Sequence, residues 1–202
     1  MTQDAQALHR LLKAIAAHDD AGAQALLREA PDLARAAVGR ADEHFLPQVQ
    51  LQLYAGDTAL HVAAAAYGSG IARQLIALGA DLRARNRRGA GPLHSATVGS
   101  PGSTHWNPQA QARMIAFLVS AGADANAPDK GGVTPLHRAV RNRCTAAVEA
   151  LLDAGADAAR PNGHGSTPLQ LAMQTTGRGG TGTPEARAEQ ARIIRLLQQH
   201  LA

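Results

Sequence analysis

Short apolar segments recur along the chain at regular distances. One set reads GDTALHVAA (56–64), AGPLHSA (90–96), VTPLHRAV (133–140) and STPLQLA (166–172), with leucines at Leu60, Leu93, Leu136 and Leu169. These leucines are 33, 43 and 33 residues apart. A second set ends in Gly-Ala-Asp: LIALGAD (75–81), LVSAGAD (118–124) and LLDAGAD (151–157). This self-similarity predicts a repeat protein in which each unit is a pair of short helices.

Polar and glycine positions mark where these helices begin and end. A threonine or glycine stands where an N-cap belongs, and a glycine stands where a left-handed C-cap would close the second helix. We therefore expect five helix pairs, with a first pair within residues 4–30. The first helices of the other four pairs are expected to start near Thr58, Gly91, Thr134 and Thr167.

These segments resemble the ankyrin family, with its T-P-L-H-x-A and L-L-x-x-G-A-D signatures, over nearly the whole chain. The resemblance implies an all-α repeat solenoid, an ankyrin-repeat stack of helix-turn-helix units with β-hairpin fingers. We expect a single domain over 1–202 with about five repeats. The expected units are an N-terminal capping repeat with a long finger (4–55), repeat 2 (56–88), repeat 3 with an inter-helix insertion (89–131), repeat 4 (132–164), and a C-terminal capping repeat with an inter-helix insertion (165–202).

The two end repeats are recognised by spacing more than by motif. Leu11 and Leu26 are 15 residues apart, the same distance that separates Leu60 from Leu75. The last helix, ARIIRLLQQH (191–200), carries an apolar face and ends in polar residues. Atypical end repeats are typical of solenoids, because their outer faces meet water.

Comparing the spacings predicts three insertions. Sixteen extra residues fall in the first finger, around 39–54, where Val49, Leu51 and Leu53 alternate as in a strand with one apolar side. The leucine spacings place ten extra residues between the helices of the third repeat, around the loop 98–108, and twelve between those of the fifth, around the loop 175–184. Surface loops tolerate insertions, so the sequence leaves open whether these three are functional.

Composition excludes several classes of protein. Aromatic residues make up only 2%, which disfavours sandwiches and barrels, and the single cysteine, Cys144, excludes an intramolecular disulfide framework. The N-terminal residues do not read as a signal peptide, and no apolar run is long enough to cross a bilayer. We therefore expect a cytoplasmic monomer that does not enter a membrane.

The histidines and the cysteine invite a catalytic or metal-binding interpretation, which their positions do not favour. His61, His94 and His137 recur at one repeat position, as structural residues do. Cys144 falls at the end of a first helix, where a structural thiol is the favoured interpretation. No Walker loop, G-x-S-x-G elbow or H-E-x-x-H motif is present. The expectation is a protein that is not an enzyme and has no cofactor or metal.

Basic residues cluster on the segments that the ankyrin resemblance places on the partner-binding face. The residues of this expected surface are Arg87 and Arg88 in the finger after repeat 2, Lys130 in the next finger, and Arg138 and Arg141 on the first helix of repeat 4. In the loop 98–108, His105 and Trp106 are further candidates, since tryptophan is frequent at binding hot spots. Trp106 can fold back onto its own helix pair or stand exposed, and the energy of burying the ring favours folding back.

The resulting functional hypothesis is a protein–protein interaction module that binds through its concave face and hairpin fingers. The expected partner is another protein, one whose surface is acidic or mixed in charge. The alternative is a regulatory or inhibitory subunit that binds and controls an enzyme. Nucleic acid is disfavoured, because the first-helix positions lack the interleaved aromatic residues on which bases stack.

Overall fold

The computed structural model describes residues 3–101, 103, 106–174 and 183–202. Within them, almost all regular structure is α-helical. In chain order the helices are α1 (Gln3–Ala16), α2 (Asp20–Glu29), α3 (Ala59–Ala65), α4 (Ser69–Ala77), α5 (Pro92–Ala96), α6 (Pro108–Ser120), α7 (Pro135–Arg141), α8 (Thr145–Asp153), α9 (Pro168–Met173) and α10 (Pro184–Leu201).

Consecutive helices pack as five pairs, and the pairs stack in sequence. The odd-numbered helices form one layer, in which each contacts the next from α1 to α9, and the even-numbered helices form a second layer from α2 to α10. We call these the inner and the outer layer. The chain is therefore an all-α repeat solenoid, and the predicted fold class is confirmed. None of the described helices combines the length and the apolar character that a bilayer crossing requires.

The predicted starts of the inner helices are confirmed. Thr58, Gly91, Thr134 and Thr167 are the N-caps of α3, α5, α7 and α9. At each start, the side chain of the third helical residue accepts the N-cap backbone N–H. His61, His94 and His137 do this with Nδ1 at 3.1–3.2 Å, and Gln170 does it with Oε1 at 2.8 Å.

Small side chains let the two layers approach closely. Alanines fill much of the core, and the repeat leucines Leu60, Leu75, Leu136 and Leu151 are fully buried. The end repeats depart slightly from the predicted register. In α2, Leu27 is buried and Leu26 only half-buried, and in α10 the buried large apolar residues are Ile193 and Leu197. Since each end repeat has a neighbour on one side only, its helices bury a narrower stripe.

Four fingers connect the pairs: finger 1 (30–58), finger 2 (78–91), finger 3 (121–134) and finger 4 (154–167). Finger 1 carries the extra residues as a short antiparallel hairpin of β1 (Phe45–Leu46) and β2 (Leu51–Gln52). Val49 was predicted to share a strand with Leu51 and Leu53, and this was wrong. It lies in a 3₁₀ turn, Pro47–Val49, because the proline starts the turn and Gln50 closes it in a left-handed conformation. All three side chains are nevertheless buried.

The second predicted insertion lies between helices, as expected, because α5 ends at Ala96 and α6 begins at Pro108. The third falls between α9 and α10, and 175–182 lie outside the described residues. The repeat boundaries themselves remain a prediction.

Candidate partner-binding surface

The fingers stack side by side through backbone hydrogen bonds. The backbone N–H of Arg87 donates to the carbonyl of Ala55 in finger 1, at 2.6 Å. The N–H of Lys130 in finger 3 donates to the carbonyl of Arg88 in finger 2, at 3.0 Å. These bonds align the finger tips in a row, so the basic residues of finger 2 lie directly beside Lys130.

Arg87 is engaged by finger 1. Its guanidinium forms an ion pair with Glu43, in which Nη2 donates to Oε2 at 2.9 Å, and it lies 4.8 Å from the centre of the Tyr54 ring. The backbone N–H of Ala55 also donates to the Glu43 carboxylate. The hydrogen bonds from Arg87 and from Ala55 lower the pKa of Glu43. Arg87 thus carries a paired charge.

Arg88 contacts the same aromatic ring without a carboxylate partner. Its guanidinium lies 5.2 Å from the centre of the Tyr54 ring, and Nη1 donates to the Tyr54 hydroxyl at 3.1 Å. The side chain is exposed. Among the described residues, no acid neutralises Arg88, so its positive charge faces outwards.

Arg138 lies half-buried on α7, in the inner layer. Burial lowers the pKa of its guanidinium, while nearby Asp129 raises it and Arg141 and Arg88 act in the same direction as burial. In the part of the chain that the structure describes, the Arg138 guanidinium makes no hydrogen bond or ion pair. Asp129 instead accepts the backbone N–H groups of Gly131 and Val133.

Lys130 and Arg141 complete the surface as exposed side chains without an acidic partner among the described residues. We call Arg88, Lys130, Arg138 and Arg141 the basic surface. The structure brings these four of the sequence candidates into one region, with the paired Arg87 at its edge. Tyr54 and Glu43 were missed, because they lie in the finger 1 insertion, 34 and 44 residues before their arginine partners.

Trp106 lies away from the basic surface, in the loop between α5 and α6, and His105 falls outside the described residues. The Trp106 indole N–H donates to the side-chain oxygen of Gln111 at 3.0 Å. The buried Gln111 in turn donates to the carbonyls of Ala96 and Val98 at 3.0 Å. The predicted folding back of Trp106 is confirmed, so the ring pins its own loop.

Cys144 and the repeated histidines have structural positions. Burial raises the pKa of Cys144 to about 12, and its thiol donates to the carbonyl of Gly99 at 2.9 Å. The Nε2 atoms of His61, His94 and His137 each contact a carbonyl of the following repeat at 3.0–3.2 Å. Among the described residues, no group of three or more His, Cys, Asp or Glu side chains could hold a metal ion.

Comparison with known families agrees with this architecture. Residues 55–87 match a family model described as an ankyrin repeat, and residues 118–172 match a model described as ankyrin repeats in many copies. No curated protein matches the chain. The two matches cover helix pairs that the structure places in one continuous stack with the same finger geometry. The chain therefore contains ankyrin repeats, which the two models match at 55–87 and 118–172.

Proposed function

We propose that this protein is a non-enzymatic binding module that engages an acidic surface of a partner protein through its concave face and fingers. Ankyrin repeats are generally protein–protein interaction modules. The observation that supports the acidic partner is the basic surface. Its four cations converge from two fingers and one inner helix, and none has a carboxylate partner among the described residues.

The four residues of the basic surface differ in burial, so we expect them to contribute differently to binding. Exposed cations such as Lys130 and Arg141 are screened by salt, so they would mainly accelerate association with an acidic partner. Arg138 is already half-buried, so a carboxylate that pairs with it would be shielded from water and bound more strongly. We therefore place Arg138 at the centre of the contact and the other cations at its rim.

Charge reversal on the inner layer tests this proposal. The double variant Arg138→Glu/Arg141→Glu should lose the partner that the unmodified protein captures from a lysate of its source organism. Raised salt should weaken the same capture. The matched control is Arg113→Glu/Arg195→Glu, which makes the same change of net charge at exposed positions of the outer layer. Equal capture by both double variants would contradict the proposal.

A further inference from the structure

The hairpin in finger 1 has one face in the core and one face outwards. Its register pairs Phe45 with Gln52 and Leu46 with Leu51. Side chains alternate along a strand, so Leu46, Leu51 and Leu53 share the core face, and all three are buried. The outward face therefore presents Glu43, Phe45, Gln52 and Tyr54.

Phe45 is left in water on this outward face. The residue is 53% exposed, and among the described residues it is the only exposed phenylalanine, tyrosine or tryptophan. A ring of this size loses favourable apolar burial when it stays in water. The hairpin does not need the ring for its own core, which Leu46, Leu51 and Leu53 supply. Phe45 is thus available for contact with another molecule.

Cations surround the same face. Arg87 and Arg88 lie against Tyr54, and Arg40 lies near enough to Glu43 to lower the pKa of that carboxyl, after the larger effects of Arg87 and Ala55. Arg40, Glu43 and Arg87 line a shallow open hollow. One acid thus stands among three arginines, so the charge of this face remains positive. Arg88 also joins it to the basic surface, because its charge acts on Arg138.

We propose that the outward face of the finger 1 hairpin is a docking site for an acidic protein segment with an apolar side chain. The apolar side chain packs against Phe45, and flanking carboxylates pair with Arg40 and Arg88. Aromatic residues and arginines are the side chains that dominate binding hot spots. The inference rests on the proposed function and extends it, because it adds an apolar anchor outside the inner layer and assigns a role to the inserted hairpin.

A protein segment fits this face better than single-stranded nucleic acid. Nucleic-acid sites typically stack successive bases on several rings. Here two guanidinium groups already lie against Tyr54, so a base would compete with both, and Phe45 is left as a single platform. A protein segment needs only one apolar contact.

Selection of random linear peptides by display on the immobilised protein tests the site. The selected peptides should be enriched in aspartate and glutamate around one apolar residue. Their affinity for the Phe45→Ala variant should fall about tenfold or more, while Phe45→Leu should retain part of it. The matched control is Leu201→Ala, which removes a side chain of similar exposure, 44%, on α10. Circular dichroism melting of each variant shows that folding is intact.

Each outcome separates this inference from the proposed function. Peptides that depend on Arg138 and Arg141 but bind Phe45→Ala normally would overturn the hairpin site and leave the basic surface standing. Peptides that depend on Phe45 but tolerate Arg138→Glu/Arg141→Glu would support the hairpin and count against the basic surface. A selection without acidic enrichment, or tighter binding of a mixed single-stranded oligonucleotide with loss at Phe45→Ala, would overturn the docking of an acidic protein segment.

Discussion

Three non-glycine residues adopt left-handed backbone conformations at the turn between the two helices of a pair. His18, Tyr67 and Arg143 have φ values of 56°, 56° and 58°. A left-handed conformation costs a non-glycine residue about 1–2 kcal/mol of conformational free energy. Tyr67 has a compensating contact, because its hydroxyl donates to the carbonyl of Val98. The exposed His18 side chain makes no such contact among the described residues.

Substitution by glycine at His18 and at Tyr67 should therefore change the free energy of unfolding in opposite directions. We expect His18→Gly to raise the free energy of unfolding by about 0.5–1 kcal/mol, since relief of the backbone outweighs the greater freedom of glycine in the unfolded chain. Tyr67→Gly should lower it, because a largely buried ring and its hydrogen bond are lost. Urea denaturation measures both. Destabilisation by His18→Gly would show that its left-handed turn carries no strain.

At the level of structural elements, the fingers share one turn. In fingers 2, 3 and 4 the side-chain oxygens of Asn86, Asp129 and Asn162 each accept two backbone N–H groups. Each turn ends in a glycine with positive φ. A Cβ at Gly132 would lie 2.5 Å from the backbone nitrogen of Gly163 in the next finger, whereas a Cβ at Gly165 would meet nothing. Of these two glycines, both are thus needed for the turn, and Gly132 is needed for the close stacking as well.

Replacing each of these two glycines by alanine separates the cost of straining the turn from the cost of pushing the next finger away. Gly165→Ala should destabilise the fold by about 1 kcal/mol through backbone strain alone. Gly132→Ala should cost at least about 1 kcal/mol more, because finger 4 must also move away. Thermal or urea unfolding of the two variants gives the difference. Equal losses would mean that the fingers separate at little cost.

The sequence predicts elements well where their signals are local. N-cap residues such as Thr134 and C-cap glycines such as Gly155 act through backbone within a few residues, so the helix pairs could be placed by spacing. The path of finger 1 depends instead on what its side chains meet after folding. The sequence therefore misassigned Val49, and it showed neither the pairing of Arg87 with Glu43 nor the outward position of Phe45. The clustering of basic residues was predictable from the sequence, whereas the contacts of Arg87 and Arg88 with Glu43 and Tyr54 were not.

On the scale of the whole molecule, a row of buried histidines couples consecutive repeats. In His61, His94 and His137, Nδ1 accepts the N–H of its own N-cap residue, so it carries no proton, and Nε2 carries the proton and donates to the next repeat. In the last repeat, Gln170 takes over the contact with the N-cap. Burial lowers the pKa of all three histidines, and that of His94 to about 4. The folded solenoid requires each ring to be neutral.

Because the pKa values of these histidines are lower in the folded chain than in the unfolded chain, acid pH should destabilise the fold. The unfolded chain takes up protons on these histidines near their ordinary pKa of 6.5, whereas folded His94 resists protonation until about pH 4. The stabilisation that comes from keeping His94 neutral is therefore fully present above pH 6.5, and it is lost as the pH falls towards 4. For His94 alone, the loss is on the order of 3 kcal/mol at the acid end.

Replacing His94 by glutamine isolates its share of this effect. His94→Gln can keep the contact with the N-cap, as Gln170 does in its own repeat, but it cannot titrate. Near neutral pH the variant should be less stable by about 1–2 kcal/mol, because the 3.0 Å contact of Nε2 with the Val133 carbonyl is lost or weakened. Near pH 5 the deficit should shrink or reverse, because the unfolded variant binds one proton fewer. Urea denaturation at both pH values measures the two differences, with Gln170→Ala as a control that alters a cap without changing titration. A deficit that stays constant between the two pH values would show that protonation of His94 does not weaken the stack.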